Sequence, residues 1–201
     1  MRIDSLLLSL VLLTPSAAPQ QGVSPATSPP ADNSSIEVTM KFIQDKLNAV
    51  GKVNYTLHWH DNADDTYGIV QINLEESNVV AEPASCWIKY HLKIVNGTTF
   101  DERDNGFFLS DVQDLVVARG EQEANKHYTA SGYPTVDSKI DPPIFWLVAR
   151  RVEKENQLSV AQTAGEDAFV FTNEEMADRV AKAMLHAVKL CGGGHQETKS
   201  F

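Results

Sequence analysis

From residue 34 onward the chain changes period once and then changes back. Ile36, Met40, Ile43, Leu47 and Val50 recur at steps of four and three, which lays a single apolar stripe along a helix. Ser34 and Glu37 stand ahead of it in capping-box spacing, and Gly51 closes it. The period then falls to two. In KVNYTLHWHD, Val53, Tyr55, Leu57 and Trp59 alternate with Asn54, Thr56, His58 and His60, which predicts a half-buried strand with its aromatic residues inward. TYGIVQINLEE repeats the alternation. So does CWIKYHLKIVNG, with Cys86, Ile88, Tyr90, Leu92 and Ile94 on one face and Trp87, Lys89, His91 and Lys93 on the other. FFLSDVQDLVVARG, PPIFWLVARRV and DAFVFT bring the count to about six or seven strands joined mostly by short polar turns, a pattern that favours antiparallel pairing.

The helical period returns at the end. Thr172 and Glu175 form a second capping-box pair, and Ala177, Val180, Ala181, Met184, Val188 and Cys191 mark one face of a helix of about five turns. His186 is rotated off that stripe by about 200° and joins Arg179, Lys182 and Lys189, which predicts that it faces outward. Gly192, Gly193 and Gly194 end the helix. Residues 119–143 show no clear period. They read as an elaborated surface loop or as a connection holding a short strand.

Outside this region the chain is of a different kind. Residues 1–18 run from Arg2 through LLLSLVLL to small residues, the order of a secretory signal peptide, and the apolar run is far short of the ~20 residues a membrane span needs. Residues 19–33, PQQGVSPATSPPADN, read as a flexible Pro- and Ser-rich spacer, and 195–201 as a polar tail, leaving 34–194 as one globular domain. The expected location is therefore outside the cytoplasm, periplasmic or extracellular. With 27 acidic against 17 basic side chains the chain carries −10. Its surface should repel nucleic acid and anionic membrane, which leaves a protein or peptide as the expected kind of partner.

Candidate chemistry is sparse. The sharpest is His58-x-His60, two imidazoles about 7 Å apart on one strand face, a spacing that suits a shared metal given a third ligand. The neighbouring sequence supplies no such ligand, and two solvent-facing histidines read more simply as polar positions. Asp61, Asp64 and Asp65 lack the order of a calcium loop and read as a solvated hairpin tip. No nucleophile elbow and no Gly-rich phosphate loop occurs. Neither cysteine has a base beside it, so no catalytic residue and no cofactor is assigned. A metal-dependent or hydrolytic enzyme centred on His58, His60 and the 119–143 segment is the alternative to a binding module.

A helix, a run of antiparallel strands and one closing amphipathic helix resemble the pleckstrin-homology-like barrel. The resemblance is carried by FFLSDVQDLVV, IFWLVARR and FVFTNEEMADRVAKAMLHAVKLCGG. The ending is also similar to exported bacterial proteins of unknown function whose last helix runs A-x-R-x-A-K-A into L-C-G-G. The resemblance implies an α+β fold, a bent antiparallel sheet or partly open barrel, with the last helix plugging one end and an added N-terminal helix. It brings no catalytic motif. The loop DNADDT has the wrong sign for a phosphoinositide site, and the protein-binding mode it implies is a peptide held between a strand and the last helix. If the helix closes the sheet, Cys86 and Cys191 meet as a disulfide; two separate buried thiols are the other reading.

Overall fold

The computed structural model describes residues 34–151 and 165–194, so the expected signal peptide, spacer and polar tail lie outside the described residues. In chain order the elements are α1 (Ile36–Val50), β1 (Lys52–Asp61), β2 (Thr66–Glu82), β3 (Trp87–Asn96), β4 (Thr99–Phe108), a 3-10 turn (Leu109–Asp111), β5 (Val112–Arg119), α2 (Gly120–Ala130), β6 (Val136–Asp141), β7 (Phe145–Arg151), β8 (Glu166–Phe171) and α3 (Glu174–Leu190).

The class is α+β, with antiparallel pairing throughout, an N-terminal helix and a closing C-terminal helix, as the two periods predict. The antiparallel strands form two sheets, neither of them closed. Among the described residues eight strands divide between a five-stranded sheet in the order β4-β3-β2-β1-β6 and a three-stranded sheet in the order β5-β7-β8. The division falls at the 3-10 turn, which breaks FFLSDVQDLVV: Phe107 and Phe108 end the first sheet and Val112 opens the second.

Both helix starts lie one residue later than the capping-box spacing suggests. Ser35 caps α1 by accepting from the Val38 N–H at 3.4 Å, and Asn173 caps α3 by accepting from the Met176 N–H at 2.9 Å. Gly51 ends α1 with φ +62°, in the region a side chain disfavours. β2 runs past its expected end because α1 supports it. The ladder with β3 slips between Ser77 and Val80, and there the Asn48 amide of α1 takes both backbone groups of Val79, at 2.8 and 2.9 Å. Gln44 accepts from the Ala81 N–H at 3.0 Å. Helix side chains thus replace strand partners where the sheet bends.

The core lies between the inner face of the five-stranded sheet and the three-stranded sheet with α1 and α3. Ile88, Phe107, Leu109, Leu147, Phe169 and Met184 are fully buried, and the rings of Phe107 and Tyr90 lie 6.3 and 5.0 Å from that of Phe169. Residues 119–143 are not a loop: α2 and β6 occupy most of them, and β6 joins the sheet as the second partner of β1.

A disulfide links Cys86 and Cys191, with Cα atoms 5.9 Å apart. Cys86 sits in the turn ahead of β3 with φ +54°, and Cys191 caps α3, so the bridge pins the five-stranded sheet to the end of the last helix. Two of the glycines after it are held against the 3-10 turn and β5. The Gly194 N–H donates to the Val112 carbonyl at 2.8 Å, and a Cβ on Gly193 would overlap the Leu109 carbonyl oxygen. Because that obstacle is backbone, Gly193→Ala is expected to destabilise the domain by about 1–3 kcal/mol, read as a lower urea midpoint at unchanged slope.

Candidate functional site

His58 and His60 do lie on one face of β1, on the outer side of the five-stranded sheet. With Tyr67, Ile69, Asp137 and Lys139 they line a shallow groove of about 360 Å³. His58 stands opposite Ile69 and Lys139 in the two adjoining strands, and His60 Nε2 lies 2.9 Å from Asp65 Oδ1. Among the described residues no group of three or more His, Cys, Asp or Glu side chains could hold a metal ion. The carboxylates of the hairpin tip serve the turn itself. Asp61 accepts from Ala63 N–H at 3.0 Å and from the Thr135 hydroxyl, which holds its pKa below the usual range, and Asp64 accepts from both the backbone N–H and the hydroxyl of Thr66.

Two further histidines, His91 and His186, also have fixed partners. His91 has Asp104 2.8 Å from Nδ1 and Glu102 3.1 Å from Nε2, and the two carboxylates, Asp104 foremost, raise its pKa. His186 is not solvated as its helical phase predicts. It is half-buried, and its Nε2 meets the Ser34 carbonyl at 3.1 Å, tying α3 to the start of α1. Trp87 and His91 lie on β3, whereas α2 packs on β6 at the far edge of the sheet, so the 119–143 segment does not gather with them.

The polar chemistry that the fold shuts away from water lies elsewhere, where β8 crosses the inner face of β2, β3 and β4. Inward parity carries Tyr90 to Asp167 at the head of β8, and the phenol donates to Asp167 Oδ1 at 2.8 Å. Arg151 Nε stands 2.9 Å from Asp167 Oδ2, and Asn105 of β4 donates to the Tyr90 oxygen at 3.4 Å. Tyr90 and Asp167 are 4% and 5% exposed. Burial pushes the Asp167 carboxyl up, with Arg151 pulling against it, and burial likewise raises the Tyr90 phenol, with the Asp167 charge adding to the shift. Beside them Glu76 of β2 is 1% exposed. Its Oε1 accepts from the Val170 N–H at 3.2 Å and its Oε2 has no hydrogen-bond partner, so burial lifts its pKa to about 8 and the group is protonated at neutral pH.

Tyr90, Asn105 and Asp167 of this cluster form one wall of a cleft of about 210 Å³. Leu74, Leu92 and Ile94 supply an apolar floor from the five-stranded sheet, and Trp146 and Ala168 supply the opposite side. Arg103 and Glu166 stand at the rim, each with a partner: Arg103 pairs with Asp101 at 2.9 Å, and Glu166 with Arg150 at 3.2 Å. Such a site offers a small apolar surface ending in fixed hydrogen-bonding groups, the usual makeup of a ligand pocket. The sequence held one signal for it. Glu76 follows Ile72 and Leu74 on the inward parity of its strand, and Asp167 precedes Phe169 and Phe171 on theirs, so each is a carboxyl at an apolar phase. No protein-family model, curated protein or solved structure matches this chain.

Proposed function

We propose that this protein is an exported, non-enzymatic binding module whose ligand enters the cleft between the five-stranded sheet and β8. Export is supported by the leader pattern at residues 1–18 together with the Cys86–Cys191 bridge, a bond kept in oxidising compartments. Among the described residues no helix is long and apolar enough to cross a membrane. Binding is supported above all by one observation: Tyr90 and Asp167 are held almost dry in the wall of an open cavity, with the buried Glu76 carboxyl behind them on β2. Burying two carboxyls costs several kcal/mol that an apolar core of the same volume does not, an arrangement frequent where a fold serves a ligand.

Trp146 provides the test, since it lines the cleft and the chain has three tryptophans. In the Trp59→Phe, Trp87→Phe variant, a panel of free amino acids, capped dipeptides, monosaccharides and short fatty acids is titrated against Trp146 emission. At least one class should give a saturable change, and Ile94→Phe, which fills the floor, should abolish it. A panel without any saturable response overturns the reading.

A further inference from the structure

The cleft wraps the free edge of a strand. β8 is last in the order β5-β7-β8, so among the described residues its backbone is paired on one side only. The Val170 N–H points away from β7, because it reaches Glu76. Antiparallel strands alternate this direction from residue to residue, so Ala168, two positions earlier, also turns its N–H and C=O away from β7. The side chains of β8 and β7 agree. Glu166, Ala168 and Trp146 project from one face of the three-stranded sheet and Asp167 from the other, yet all four line the same cavity. A cavity touched from both faces of a strand opens onto the edge between them.

Two neighbouring positions on that edge are treated differently. At Val170 the five-stranded sheet is close, and the Glu76 carboxyl serves as the missing strand partner. At Ala168 the sheets diverge, the cavity takes their place, and no described side chain or backbone group bonds the edge. Across the gap Leu92 and Ile94 sit two residues apart on β3, with Leu74 beside them. That spacing, about 7 Å, matches the repeat of alternate side chains in an extended chain. A space of about 210 Å³ admits a short extended segment, whereas a helix about 10 Å across does not fit. Asp167 and Glu166 at the wall and rim are balanced by Arg151, Arg150 and Arg103, so the cleft suits an uncharged segment in a chain of net charge −10. No side chain of α3 lines the cleft, so it is distinct from a groove between a strand and the last helix.

We propose that the occupant of the cleft is an extended peptide segment of another protein, apolar at alternate positions, which adds to β8 as a fourth strand by bonding Ala168 and rests its side chains on Leu74, Leu92 and Ile94. This rests on the cleft being the binding site and names what fills it. Backbone pairing gives the affinity and the apolar floor selects the sequence.

The probe is the capped pentapeptide Ac-Thr-Val-Thr-Val-Thr-NH2, followed by calorimetry and by Trp146 emission in the Trp59→Phe, Trp87→Phe protein. Saturable binding is expected, with a loss of at least tenfold when the backbone of the peptide is N-methylated on its pairing edge. Ala168→Pro removes the free donor without breaking a bond to β7, as edge strands tolerate, and should cause a similar loss. If that variant does not fold, the N-methylated peptide decides on the unaltered chain. Equal binding of the methylated and unmethylated peptides, or a peptide that fails where small apolar amides saturate the Trp146 signal, overturns edge pairing and leaves the cleft as a small-molecule site. Silence toward every probe overturns both.

Discussion

Replacing both cysteines with alanine lowers the unfolding free energy of this domain by about 3–5 kcal/mol, the largest effect expected of any change outside the core. Cys86 and Cys191 are 105 residues apart, so the bridge removes a long loop's worth of freedom from the unfolded chain, and the loop-entropy relation reaches nearly 5 kcal/mol at that length. Little of this is offset by slack in the native state. Around the bridge the Leu109 N–H donates to the Cys86 carbonyl at 2.8 Å and the Gly194 N–H to the Val112 carbonyl at 2.8 Å, so the joined segments are already held in place. Both half-cystines are half-buried and pack against the core, which makes two alanines a small loss of contact by comparison. Urea unfolding of the double variant, and of the unaltered chain with and without reductant, should therefore show the same fall in midpoint. A fall of under 1 kcal/mol would mean that the unfolded chain is compact enough to make the link redundant.

What the sequence made legible follows the range over which each feature is decided. α1, α3 and the inner faces of β1 and β3 are set by local period, and Met40, Ile43, Leu47, Val53, Tyr55, Tyr90, Leu92 and Met184 are buried as those periods require. Strand parity and helical phase turn the two cysteines inward, and the closing helix that the resemblance implies brings them together, although Cys86 sits in the turn ahead of β3 and not in the strand itself. Two elements were not legible. α2, GEQEANKHYTA, has one buried residue, Gly120, and so no apolar stripe to read. β4, TFDERDNGFF, is an edge strand with charges on both faces. The partition into two sheets is decided by pairing at a distance: β1 takes β6 as its second neighbour, matching Leu57 with Ile140, and no local pattern announces that choice.

The candidate site was less legible than the fold for the same reason. The imidazoles of His58 and His60 are conspicuous in a sequence, whereas the buried groups are common residue types at an unexpected phase. Glu76 reads as the polar end of TYGIVQINLEE, and Asp167 as the charged start of DAFVFT. Only the crossing of β8 over β2 and β3, joining residues 77 apart at Tyr90–Asp167 and 94 apart at Glu76–Val170, turns them into one cluster.

That cluster gives the domain its steepest dependence on pH, and the sign can be worked out. Glu76 titrates near 4.5 when the chain is unfolded and near 8 when folded, raised by burial against the pull of the Val170 N–H. Between those values the folded state holds a proton that the unfolded state has released, so stability falls as pH rises through the window and levels off above it. The loss is a few kcal/mol, on the order of 3–5. Asp167, also raised by burial, and His91, raised by Asp104 and Glu102, act in the same direction, so the bare profile of the protein does not isolate Glu76. Glu76→Gln does. An amide keeps the acceptor for Val170 and the neutral form at every pH, so the variant should match the parent near pH 4.5 and exceed it by a few kcal/mol at pH 8.5, in urea unfolding followed across that range. Glu76→Leu, which leaves the Val170 N–H without its acceptor, should instead cost about 1–3 kcal/mol with its own flattened profile. If Glu76→Gln runs parallel to the parent from pH 4.5 to 8.5, the carboxyl is ionised in the folded chain. The contact between β2 and β8 would then be a charged one rather than the neutral clamp its burial implies.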